Sequence, residues 1–124
     1  MALPTNHKFT EVQVEAYTPS AGASPSSCSA RAPFRGRVIK LGATLQGTLT
    51  GDATVTCTIA GTSITIPTFT LTASGSVNGT TFSVIPTGAN NCNEDDYISF
   101  VPASGSGANI PCLFWAVIDK SGTF

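Results

Sequence analysis

Residues Thr54 to Ile66 read Thr-Val-Thr-Cys-Thr-Ile-Ala-Gly-Thr-Ser-Ile-Thr-Ile, and this run constrains the fold more than any other. Val55, Cys57 and Ile59 alternate with Thr54, Thr56 and Thr58, a period of two that gives one apolar face and one hydroxyl face. A break at Ala60-Gly61-Thr62 follows, and Ile64 and Ile66 then alternate around Thr65. Two half-buried strands joined by a tight glycine turn make a β-hairpin. A threonine face without Lys or Glu is weakly protected against strand pairing or docking, so it is a candidate contact surface.

Other strands are expected around this hairpin. Glu11 to Tyr17 alternates, with Val12, Val14 and Ala16 opposite Glu11, Gln13 and Glu15. Arg37 to Ala43 is expected to put Ile39 and Leu41 on one face and Val38 with Lys40 on the other. Phe69 to Leu71, Thr81 to Ile85 and Tyr97 to Val101 are further short strands, punctuated by Pro67, Ser74-Gly75 and Asn78-Gly79. In the last strand, Cys112, Phe114, Ala116 and Ile118 form one face and Leu113, Trp115 and Val117 the other. Apolar on both sides, it reads as central or covered by a neighbouring subunit. No helical period persists beyond a turn. Seven or eight strands at such spacing predict an all-β, antiparallel β-sandwich (jelly-roll-like) with an extended N-terminal arm.

The arm is placed at residues 1–29 and the sandwich domain at 30–124. Thr18 to Ser29 is a loop of small residues with Pro19 and Pro25, too poor in apolar bulk to fix itself. Segments of this kind become ordered against a neighbour, which makes 1–29, with Glu11 and Tyr17, the expected zone of subunit contact. Deletion of residues 2–20 is expected to leave the domain folded and abolish attachment or oligomerisation.

At 124 residues the chain can close one core without crosslinks. Only 10% of residues are charged, against roughly 25% in an average soluble protein. So few charges protect poorly against self-association, so part of the surface is expected to be covered by partners. A net charge of −1 argues against nucleic-acid binding. Four basic residues do cluster, Arg31, Arg35, Arg37 and Lys40, either as a solvated flank or as a site for an acidic protein. The N-terminus lacks a charged region followed by an apolar run, and no stretch approaches the length of a membrane helix, so assembly in the cytoplasm is expected.

Catalytic chemistry is not expected. The single histidine, His7, lies in the arm, and no nucleophile elbow, phosphate loop or zinc motif occurs. Cys28, Cys57, Cys92 and Cys112 include no C-x-x-C pair, so zinc is not expected. Cys57 and Cys112 fall on apolar strand faces, a bond between Cys28 and Cys92 in their loops is the alternative, and in a cytoplasmic setting all four are read as reduced. The run Asn91 to Asp96 could supply oxygen ligands to calcium, but its spacing is not that of an EF-hand, and an exposed loop is the expected reading. No cofactor is expected. Trp115 and Tyr97 are the candidates for stacking on a sugar, with burial or an interface the favoured role for Trp115.

Four runs, taken in order from Ser29 to Lys120, resemble a family. They are Ala32-Pro33-Phe34-Arg35-Gly36-Arg37-Val38, Asp52-Ala53-Thr54-Val55 through Gly61-Thr62, Phe69-Thr70-Leu71 with Gly75-Ser76, and Asp96-Tyr97-Ile98. Their order is similar to that in small capsid decoration (cement or head-fibre-like) proteins of tailed bacteriophages. Ala60 stands where that pattern has Asn, and Asp95 where it has Gly. The resemblance implies a virion protein that binds the outer surface of an assembled capsid and stabilises it. The implied partners are the major capsid protein and further copies of itself, a trimer being favoured. Nucleic acid and membrane are not expected partners. Candidate capsid or subunit contacts are Glu11, Tyr17, Arg31, Arg35, Arg37 and Trp115. The alternative is a receptor- or carbohydrate-binding head domain of a phage fibre or tail protein, with loops 87–96 and 103–110 as its tips.

Overall fold

The computed structural model describes residues 11–22, 24–103 and 109–120. The described chain is all-β, in two antiparallel sheets packed face to face. Its strands are β1 (Glu11–Thr18), β2 (Cys28–Arg31), β3 (Gly36–Leu45), β4 (Ala53–Ile59), β5 (Thr62–Ser63), β6 (Phe69–Leu71), β7 (Thr81–Val84), β8 (Asn91–Cys92), β9 (Tyr97–Ala103) and β10 (Cys112–Asp119). Sheet A has the order β1-β10-β3-β7, with β8 also on β3; sheet B has the order β2-β9-β4-β5, with β6 also on β4.

Alternation fixes which side chains enter the core. On β10, Cys112, Phe114, Ala116 and Ile118 are fully buried, and on β4 Ala53, Val55, Cys57 and Ile59 are buried. Phe100 of β9 and Phe114 of β10 stack across the sheets with centroids 5.1 Å apart. Such a pair contributes about 0.5–1.5 kcal/mol beyond its burial.

The opening hairpin is present, with a two-residue turn. Ile59 pairs with Thr62, and Ala60 and Gly61 have φ of 50° and 87°. Positive φ at both central residues is the type I′ pattern, whose twist suits a hairpin.

β3 departs from simple alternation. Lys40 pairs with Val117 but Val38 with Ile118, so Ile39 is an extra residue on β3. A bulge of this kind leaves one residue without an opposite number and resets the face. Val38 and Leu41 therefore both point inward and are fully buried. Ile39 is only half-buried, next to exposed Lys40. The expected pairing of Ile39 with Leu41 on one face is thus corrected.

Each sheet has a broken outer strand. Along β4, Ser63 opposes Thr58 and Phe69 opposes Val55, so the chain between them leaves the ladder. Along β3, Val84 opposes Leu41 and Asn91 opposes Arg37, with the same result. Both detours carry Ile-Pro-Thr, at 66–68 and 85–87, and proline has no N–H to give a ladder. The two detours join each other: Thr65 N donates to Gly88 O (2.9 Å) and Thr87 N to Thr65 O (2.8 Å).

Within segment 1–29, the expected strand at Glu11 to Tyr17 is present as β1, and the small-residue loop after it is partly buried. β1 pairs with β10 over eight residues and is the edge strand of sheet A. Ala16, Thr18, Ser20 and Ala21 are buried. The Thr18 hydroxyl donates to Ser26 O (2.7 Å), and the Ser20 hydroxyl donates to Asn109 Oδ1 (3.0 Å). These contacts tie down a loop that has little apolar bulk, and β2 follows it as a strand that periodicity did not reveal. Residues 1–10, including His7, lie outside the described residues.

Candidate interaction surface

Registry determines what sheet A shows to solvent. Across it run the rows Tyr17–Leu113–Thr44–Thr81, Glu15–Trp115–Gly42–Ser83, Gln13–Val117–Lys40 and Glu11–Asp119–Arg37. β10 thus supplies a half-buried apolar stripe of Leu113, Trp115 and Val117. β1 flanks it with Glu11 and Glu15, and β3 flanks it on the other side with Arg37 and Lys40. Ile39, pushed outward by the bulge, and Ile85, 66% exposed, extend the apolar area beside Lys40.

Trp115 is held in place at the centre. Its indole occupies the space above Gly42, where any side chain would collide with it. The Lys40 ammonium lies 5.7 Å from the ring centroid, within cation–π range. A groove of about 280 Å³ is lined by Arg37, Ile39, Ile85, Pro86, Thr87 and Asn90.

Of the six contact residues singled out from sequence, Glu11, Tyr17, Arg37 and Trp115 come together on this face. Arg35 is exposed in the turn before β3. Arg31 does not join them. It lies on β2 in sheet B and forms an ion pair with Asp95. The hydrogen bond that Arg31 donates to Asp95, followed by the charge of that carboxylate, raises the Arg31 pKa above its usual value. The basic cluster of the sequence is therefore divided between the two sheets. Glu15, Ile39, Lys40, Ile85, Leu113 and Val117 complete the surface. The two-sided apolar character of β10 was the signal for Leu113 and Val117; nothing in the pattern marked Ile39.

The outer face of sheet B has a different chemistry. Thr54, Thr56, Thr58 and Ser99 lie there, and the Ser29 and Ser99 hydroxyls are 2.8 Å apart. Tyr97 and Val101 are its exposed large side chains. A second groove of about 240 Å³, between β4 and the detour at 64–68, has Thr54, Thr56, Ile66, Pro67 and Thr68 in its lining.

The acidic run at 91–96 is taken up by its own turn. Asn93 N donates to Asp96 Oδ2 (2.9 Å), Asp96 N to Asn93 O (3.1 Å), and Asp95 is engaged by Arg31. Among the described residues, no group of three or more His, Cys, Asp or Glu could hold a metal. The four cysteines are free thiols. Burial pushes Cys57 and Cys112 up to about 12 and Cys28 up to about 11. Burial also raises Cys92. No helix of the described residues is long and apolar enough to cross a membrane.

No protein-family model and no curated protein sequence matches this chain.

Proposed function

We propose that the chain is a structural virion protein that binds the outer surface of an assembled phage capsid and stabilises it, and that its sheets form a jelly roll. The strand order carries this reading. If β5 with β6, and β7 with β8, each count as one interrupted strand, eight strands face each other in two fours. β10 sits between β1 and β3, and β9 between β2 and β4. That order supports two Greek keys wrapped together, an architecture used in viral capsids and lectins. The sparse charge and the resemblance to decoration proteins favour the capsid use. The partners in this reading are the major capsid protein and further copies of the chain, with the virion surface as its location and no catalytic role.

Co-sedimentation with purified shells tests it. Saturable binding that raises the temperature of shell disruption is the expected result. Failure to bind any shell displaying the capsid protein encoded beside this chain refutes it.

A second reading, a carbohydrate-binding head domain, is favoured by one observation: a partly exposed Trp115 seated over Gly42 on the outer face of a sheet, with Tyr17 in the adjoining row. A glycan array separates the two. Saturable binding that disappears in folded Trp115→Ala protein would favour the sugar.

A further inference from the structure

We infer that the outer face of sheet A pairs with the same face of a second copy, about a two-fold axis running along β10. The argument rests on the sign of charge across the face. On one side of the Leu113–Trp115–Val117 stripe β1 carries Glu11 and Glu15; on the other β3 carries Arg37 and Lys40. Two sheets can be laid face to face about a two-fold axis in the plane of the interface in two simple ways. An axis across the strands puts β1 over β1, and acid meets acid. An axis along β10 exchanges left and right, so β1 of each copy lies over β3 of the other.

The second arrangement is self-complementary, as an isologous interface requires. Glu11 then faces Arg37 of the second copy, Gln13 faces Lys40, and Glu15 lies one row from that same lysine. The apolar stripe meets itself along the axis and is shielded from water, with the aromatic ring at the centre of the contact and charged residues at its rim. Ile39 and Ile85 extend the covered area on both sides. Asp119 meets its counterpart near the axis, and the Arg37 from each copy flanks that pair. This differs from the trimer that the family resemblance implies, since a two-fold uses one face twice.

The proposal concerns self-association and does not depend on capsid binding. Sedimentation equilibrium of the full chain is expected to give a dimer. The quadruple variant Glu11→Lys, Glu15→Lys, Arg37→Glu, Lys40→Glu inverts the charge pattern. With labelled subunits, the inverted chain is expected to pair with itself and to exchange at least about tenfold less with the original chain. Val117→Glu, which places a charge in the stripe, is expected to give a folded monomer. A wild-type monomer up to about 100 µM, a trimer, or preferred mixing of inverted with original chains each overturns the proposal. A monomer that still binds shells would overturn this pairing and leave the capsid reading intact.

Discussion

The indole of Trp115 fills the place of a side chain at Gly42: a Cβ built there would stand 2.0 Å from Cζ2 of the ring. The glycine is a docking surface within the sheet, and the tryptophan lies on it because β3 offers no Cβ at that row. Gly42→Ala should therefore displace the ring from Lys40. The substitution is expected to destabilise the protein by about 1–3 kcal/mol, the usual cost of overpacking. Denaturation monitored by Trp fluorescence reports both effects, since this is the only Trp in the chain.

The hairpin turn offers an opposite change. Ala60 holds φ of 50°, which costs an alanine energy that Asn or Gly largely avoids. Ala60→Asn should stabilise the fold by roughly 0.5–1 kcal/mol, visible as a raised midpoint in urea with an unchanged slope. A lower midpoint would show that the turn does not hold this conformation.

Alkaline pH should weaken the fold through its thiols. Cys57 and Cys112 titrate near 12 when folded but near about 8.5 in an unfolded chain. Above pH 8.5 the unfolded state loses protons that the folded state keeps, so stability is complete below that pH and falls as pH rises toward the folded values. Each buried thiol contributes a slope of about 1.4 kcal/mol per pH unit in that window. Urea midpoints between pH 8 and 10.5 should fall, and Cys57→Ala should reduce the slope whatever it does to the absolute stability.

The same thiols should remain reduced. Cys28 and Cys57 both flank Phe100, from β2 and β4, and strands two places apart are about 9.5 Å apart, beyond the reach of a disulfide. Four thiols should react with Ellman's reagent in denaturant, and added reductant should leave the melting temperature unchanged. A reductant-dependent drop would contradict this arrangement.

Removal of residues 2–20 should unfold the protein rather than only detach it. That deletion takes all of β1 and the Thr18 and Ser20 contacts. It also bares the backbone of β10. Loss of the sigmoidal thermal transition in circular dichroism is the expected observation. A milder probe is Thr18→Val, which keeps the shape but leaves the Ser26 carbonyl without its donor, at about 1–3 kcal/mol.

The alternating elements were legible because inward and outward residues differ in kind. β4, β10 and β1 could be read directly, and so could the apolar outer side of β10. What escaped the reading was set by registry and distance in sequence. Ile39 points outward because of one unpaired residue, which a period of two cannot anticipate. Cys28–Arg31 has too few apolar residues to read as a strand and owes its form to β9. Arg31 sits six residues from Arg37 yet on another sheet, drawn to an Asp95 that lies 64 residues away. Ala60 and Asp95 both hold positive φ, a turn conformation that an alternating pattern does not reveal.

The bond between Thr65 and Gly88 gives the molecule a polarity. Where the two Ile-Pro-Thr detours meet, the sheets are laced together, and no strand there runs far enough to template another. The opposite border is β1, unbroken for eight residues. Among the described residues the longest unbroken sheet edge therefore lies on that side, away from the lacing.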